Sequence, residues 1–167
     1  MHHVKCALAA LATVAAGPVT AACFGPGTDL FHCTTTKGEK ALDICLQDAV
    51  AYYRFGAVSG PAELLLADAA TDVAMAPWPG IGRTIWEELT FANGHYSYTV
   101  HYGIERTPDA PPPMGGVIVR KGDEVIASVD CDPGSLTSHD FYPLFQAKEA
   151  AGQVWCRDDG TWRAGCD

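Results

Sequence analysis

The chain has 167 residues, a length that fits one domain with a sizeable buried core. Hydrophobic residues make up 48% and charged residues 19%, which excludes a disordered chain. With 20 acidic and 11 basic side chains the formal net charge is −9. That sign argues against nucleic acid and anionic membrane surfaces, because phosphate binding needs Lys and Arg to displace condensed counterions. It suits a basic envelope or extracellular protein, drawn in by long-range electrostatics.

The first 22 residues read as an export signal. His2, His3 and Lys5 open it, an apolar run follows from Cys6 to Ala16, and Val19-Thr20-Ala21-Ala22 supplies the small residues a signal peptidase needs. The run is too short for a membrane-spanning helix of about 20 residues, and nothing later in the chain is a candidate span. Cys23 follows Ala22 directly, as in a lipoprotein. However, Thr20 stands where such signals usually carry Leu or Val, so a soluble periplasmic or secreted product is the preferred reading. The mature part is then residues 23–167, with a core over about 31–132 and a C-terminal extension over 133–167.

Six cysteines remain after the leader: Cys23, Cys33, Cys45, Cys131, Cys156 and Cys166. An even count in an exported chain reads as a disulfide set. The short spacings suggest Cys33–Cys45 and Cys156–Cys166, leaving Cys23–Cys131. There is no C-x-x-C and no zinc-finger spacing, so no metal and no cofactor is expected.

Residues 23–32 look irregular. Leu42, Ile44 and Leu46 then alternate with Asp43, Cys45 and Gln47, the period of a half-buried strand. Tyr53 and Phe55 continue the pattern after a turn at Gln47-Asp48, and Ala62 to Ala67 is an apolar strand. Residues 72–83 hold two prolines and two glycines and read as a loop. A strand from Thr84 to Phe91 leads to Asn93-Gly94, a hairpin turn signal. The clearest alternation runs from His95 to Ile104. It places Tyr96, Tyr98, Val100, Tyr102 and Ile104 on a core face, with His95, Ser97, Thr99 and His101 opposite. A second loop, Thr107 to Gly116, carries Pro108 and Pro111-Pro112-Pro113, a stiff stretch without amide donors. Gly116 to Arg120 and Glu124 to Asp130 form a hairpin expected to be well buried. Beyond Cys131 come a short helix over Leu144 to Ala151 and a small hairpin around Asp158-Asp159-Gly160. The fold expected is mainly β: an antiparallel sandwich or barrel-like meander of about 6–8 strands, with one short C-terminal helix.

The run Tyr96-x-Tyr98-x-Val100-x-Tyr102-Gly103-Ile104-Glu105-Arg106, followed by Gly115-Gly116-Val117-x-Val119 and Ala127-x-Val129-x-Cys131-Asp132, resembles a loose group of small exported, periplasmic bacterial β-rich proteins of unassigned function. The likeness covers residues 31–132 and leaves out the tail with Cys156 and Cys166. It implies compartment and fold and carries over no site residues.

The chain lacks a G-x-S-x-G elbow, a P-loop and a dinucleotide fingerprint. His95, Ser97 and His101 share a strand face, which makes a small hydrolase or metal-dependent enzyme the alternative reading, but no acid is specified to complete it. Strict alternation from Ile85 and Leu89 would point Glu87 inward, and a bulge that turns it outward is the more ordinary explanation. The two loops supply the candidate binding residues Met75, Trp78, Ile81, Pro112 and Met114. Trp78 either plugs one end of the sandwich or anchors a partner, since loops on a rigid β scaffold often carry binding surfaces. The function expected is thus an exported, non-catalytic binding or inhibitor-like protein, with a structural envelope component as a further alternative.

Overall fold

The computed structural model describes Cys23 and residues 26–166. The leader expected over 1–22, including Cys6, lies outside the described residues.

Four strands follow each other as a meander: β1 (Thr28–Thr35), β2 (Lys40–Gln47), β3 (Val50–Ala57) and β4 (Ala62–Ala69). They form sheet one, in the order β10-β1-β2-β3-β4, with the two-residue strand β10 (Ser138–His139) added outside β1. Sheet two has the order β5-β6-β7-β8-β9, from β5 (Ala74–Ala76), β6 (Thr84–Asn93), β7 (Tyr96–Glu105), β8 (Met114–Lys121) and β9 (Glu124–Asp130). One helix, α1 (Tyr142–Ala150), and a separate hairpin, β11 (Val154–Cys156) with β12 (Thr161–Arg163), complete the described chain. The helix starts with Pro143 in its first turn, where a missing amide costs nothing. Both five-stranded sheets keep free edges, so the fold is an open antiparallel sandwich.

One apolar cluster joins the sheets. Leu30, Phe31, Leu42, Ile44 and Tyr53 of sheet one meet Leu89, Phe91, Val100 and Val117 of sheet two. The Tyr53 ring lies 5.7 Å from that of Phe91 and 5.5 Å from that of Tyr98. The sheets come into close contact at Gly115. A Cβ there would sit 3.1 Å from the Phe31 ring and 2.7 Å from the His101 carbonyl oxygen, so only glycine fits.

The alternation in β7 holds, with Val100 and Tyr102 buried on the expected face. Residues 74–76, read as part of a loop, pair with β6 as β5, and three further expectations change. First, residues 28–32 belong to β1. A bulge between Asp29 and Phe31 turns the adjacent Leu30 and Phe31 both inward and breaks the period-two signal. Second, β9 is exposed on nearly every residue, because it is the free edge of sheet two. Third, the disulfides are Cys23–Cys45, Cys33–Cys131 and Cys156–Cys166. The expected Cys33–Cys45 bond fails on register: Cys33 lies opposite Leu42, while Cys45 lies opposite Asp29. Cys45 is therefore three residues further along β2 and on its other face, about 10 Å away along the strand.

Cys33–Cys131 spans 98 residues of chain and ties sheet one to the residue that follows β9. Just beyond it, Asp132 accepts the amides of Lys37 and Gly38 at 3.0 and 2.6 Å and the Thr34 hydroxyl at 3.3 Å. It thereby caps the β1–β2 turn, in which Thr36, Lys37 and Gly38 all have left-handed φ angles of 57°, 59° and 82°.

On the outer face of sheet one, His32, Asp43 and Arg54 lie opposite one another on β1, β2 and β3. Asp43 is 2% exposed, taking His32 Nδ1 at 2.5 Å and the Arg54 guanidinium at 2.9 Å. Arg54 also donates to the carbonyls of Ala57 and Gly60.

Because chain-entropy loss grows with loop size, removing Cys33–Cys131 by a double Ala substitution should cost about 5 kcal/mol, against about 3 kcal/mol for the pair Cys156–Cys166. Urea unfolding of the two variants checks this order; equal losses would show that loop length does not set the contribution.

Candidate functional site

Three segments, one of them far in sequence from the other two, meet on one side of the sandwich. The first is the loop after β5, where Pro77, Trp78 and Pro79 precede two positive-φ glycines, Gly80 and Gly82. The second is α1, whose Phe145 and Glu149 stand one helical turn apart on one face. The third is the β11–β12 hairpin, which brings Val154, Trp155 and Arg157. Between them lies a cleft of about 260 Å³.

Its walls are held firmly. Trp78 donates its indole N–H to the Ile81 carbonyl at 2.9 Å, and the Arg106 guanidinium covers its ring at 5.1 Å. Trp155 lies opposite Trp162 across the hairpin, with ring centres 5.7 Å apart. Trp162 packs edge-on against Phe145 and donates to the Met75 carbonyl at 2.9 Å, which fastens the hairpin to sheet two. The Cys156–Cys166 bond closes that hairpin. Beneath it Lys148, 1% exposed, lies over the Trp162 ring and donates to the Thr71 carbonyl. Burial pulls its amine down to about 8.

Of the five loop residues expected at a binding surface, only Trp78 lines this cleft. Met75 is 3% exposed and belongs to the core. Ile81 is 74% exposed but outside the cleft walls. Met114 is the first residue of β8; its row, Trp86–Gly103–Met114, crosses sheet two, and neither it nor the exposed Pro112 reaches the cleft. Phe145, Glu149, Trp155 and Arg157 were not expected, because they lie in the stretch read as an appendage. A signal was there: two tryptophans placed symmetrically about the Asp158-Asp159-Gly160 turn must face one side of a hairpin.

No family model, no curated protein and no solved structure matches this chain.

Among the described residues the side chains of the catalytic alternative are not joined into one site. His95 lies in the turn before β7. Ser97 stands opposite Ala92 and Arg120, and His101 opposite Glu88 and Gly116. Among the described residues no hydrogen bond joins Ser97 to either histidine, and His101 Nδ1 is buried without a partner. Sheet one offers a second order of the same residue types, since Ser138 lies opposite His32, and His32 opposite Asp43. Yet the Ser138 hydroxyl donates to the Asp29 carbonyl at 3.2 Å, and half of Asp43 is committed to Arg54. A serine nucleophile needs its hydrogen bond to the imidazole, so this row is read as a cross-strand ion network. The one group of three metal-ligand types found among the described residues, Cys23, Asp29 and Cys45, has both sulfurs joined in a disulfide.

Glu87 does face inward. The β6–β7 register runs unbroken from Thr84 to Asn93, so no bulge turns it out. It accepts the Tyr102 hydroxyl at 2.7 Å. Burial lifts its carboxyl above the ordinary value, against the opposing pull of Tyr102 and of the Trp78 and Phe141 amides, and burial likewise pushes the Tyr102 hydroxyl up. Asp158 and Asp159 are turn residues: Asp159 accepts from the Thr161 amide and hydroxyl and pairs with Arg163.

The hydrogen bond to Asp43 raises the His32 pKa above 6.5. A raised folded value means the contribution is complete below the unfolded pKa and is lost as pH climbs through the folded one. Thermal midpoints should thus fall as pH rises above the ordinary histidine value of 6.5, and His32→Gln should flatten that fall. Glu87 obeys the same sign in the acid range, where its contribution fades as pH rises above 4.5. Glu87→Gln keeps an acceptor for Tyr102 and should raise the melting temperature at neutral pH. A lower melting temperature at every pH would show that the ionised carboxylate is needed.

Proposed function

We propose that this chain is an exported, non-catalytic binding or inhibitor-like protein of the periplasm or the extracellular space, and that its partner contacts the aromatic cleft around Trp78 and Trp155. The observation that carries this reading is the convergence of Trp78, Phe145 and Trp155 at the surface, each fixed by packing or hydrogen bonds before any ligand arrives. Pre-ordered aromatic side chains lose little entropy on binding and are the usual anchors of an interface. Three disulfides suit an oxidising compartment. No helix among the described residues is long and apolar enough to cross a membrane. The charge of −9 favours a basic envelope or extracellular protein as partner. The likeness to small exported β-rich bacterial proteins points to the same compartment.

Affinity capture from envelope and periplasmic extract tests the reading, with the wild type, Trp78→Ala and Trp155→Ala as parallel baits. A basic protein retained by the wild type, lost with either variant and weakened by salt is the expected result. Retention that is indifferent to both substitutions would move the contact to another face.

A further inference from the structure

We infer that the cleft takes a proline-containing extended segment of the partner, with a Lys or Arg beside the prolines set on Glu149. This rests on the cleft being the binding site, as proposed above.

The walls are flat and rigid: the Trp78 indole, the Trp155 indole, the Phe145 ring and the rings of Pro77 and Pro79. Aromatic-lined grooves of this kind accept the ridged surface of a polyproline II helix, which is already ordered when free and so loses little entropy on docking. Such a helix makes no internal hydrogen bonds, and its prolines carry no amide donors, so what it offers a groove is carbonyl oxygens. The cleft answers with donors. Arg157 is exposed, and its guanidinium makes no hydrogen bond or ion pair with another group among the described residues. The half-buried Trp155 likewise has no partner there for its indole N–H. Glu149 is the one carboxylate on the cleft wall, exposed and unpaired among the described residues. It gives a basic side chain a specific place to bind within a protein that is acidic overall. Arg157 on the same wall would by itself favour an acidic segment, so the net charge of the protein sets the preference for a basic one and Glu149 sets the position.

Calorimetric titration of the disulfide-bonded protein with short synthetic peptides tests this. The probes are a Pro-Pro-Ala-Pro-Lys sequence, the same sequence with Ala at each Pro, and the same sequence with Glu for Lys. The first should bind, the second and third should bind more weakly, and Trp155→Ala should lower affinity for the first by about tenfold or more. Glu149→Gln, an exposed change that leaves the walls intact, should cost about threefold and remove the preference for Lys over Glu. Near-ultraviolet circular dichroism confirms that each variant is folded. Equal binding of the Ala and Pro peptides would mean that charge alone attracts them, and the inference fails. It also fails if a neutral oligosaccharide binds in a Trp155-dependent way while the peptides do not. Self-association abolished by Pro112→Ala would place the chain's own proline tract in the cleft and overturn the basic partner. If no peptide binds while capture from extract still depends on Trp155, this inference falls and the binding reading stands; if capture is also indifferent, both fall.

Discussion

The sandwich depends on a single seam, where the chain leaves β9 and crosses to β1. There Cys131 bonds to Cys33, the Cys131 amide donates to the Gly115 carbonyl, and the Asp132 amide donates to the Thr34 carbonyl. Two consecutive residues thus bind both sheets. The Asp132 carboxylate adds the cap of a turn that needs three left-handed residues, two of them not glycine. Each such residue carries strain on the order of 1 kcal/mol or more, and amide bonds to a charged acceptor offset it. With that turn fixed, Phe31 faces Gly115 and the two inner surfaces close to contact distance. The segment after the seam then lays β10 along β1 and starts α1 at the end of the sandwich, which is what brings Phe145 and Glu149 to the Trp78 loop.

Much of this was legible in the sequence wherever one strand face is buried and the other is not. The β7 alternation from Tyr96 to Ile104 identified its core face, and Gly94 marked the turn before it, because burial on one side imposes a period of two. Legibility failed where local pattern and tertiary role part company. β1 lost its period to the bulge that buries Leu30 and Phe31 together. β9 has an apolar pattern, Val125 to Val129, that looks like a core strand. Its exposure follows from its place at a sheet edge, and no local residue states that place. The disulfide partners followed strand register, which sequence spacing does not contain.

The cleft was half legible for the same reason. Trp78 between two prolines cannot join a ladder, so its side chain has to find either the core or the surface. Its companions come from the helix and the terminal hairpin, brought there by one indole hydrogen bond to the Met75 carbonyl and one buried lysine. Met75 explains the miss well. As a methionine in a Pro/Gly loop it looks like a contact residue, whereas its side chain is core and only its carbonyl serves the site.

How the polar groups are partnered separates scaffold from site. Asp43 is paired with both His32 and Arg54, Asp132 holds a turn, and Glu87 holds Tyr102 between the sheets. Each is buried or committed, and removing either partner would strand a polar group whose desolvation is no longer compensated. Such groups hold the fold in one arrangement, and their protonation tunes stability. Glu149 and Arg157 are the reverse case: exposed, uncommitted among the described residues, and set beside aromatic side chains held by packing and hydrogen bonds. An acceptor and a donor left open beside rigid apolar surface cost the free protein little, because water satisfies them. They gain value only when a ligand displaces that water and meets both groups at once. That asymmetry, and not the mere presence of a hollow, is the physical reason to place recognition at this end of the sandwich.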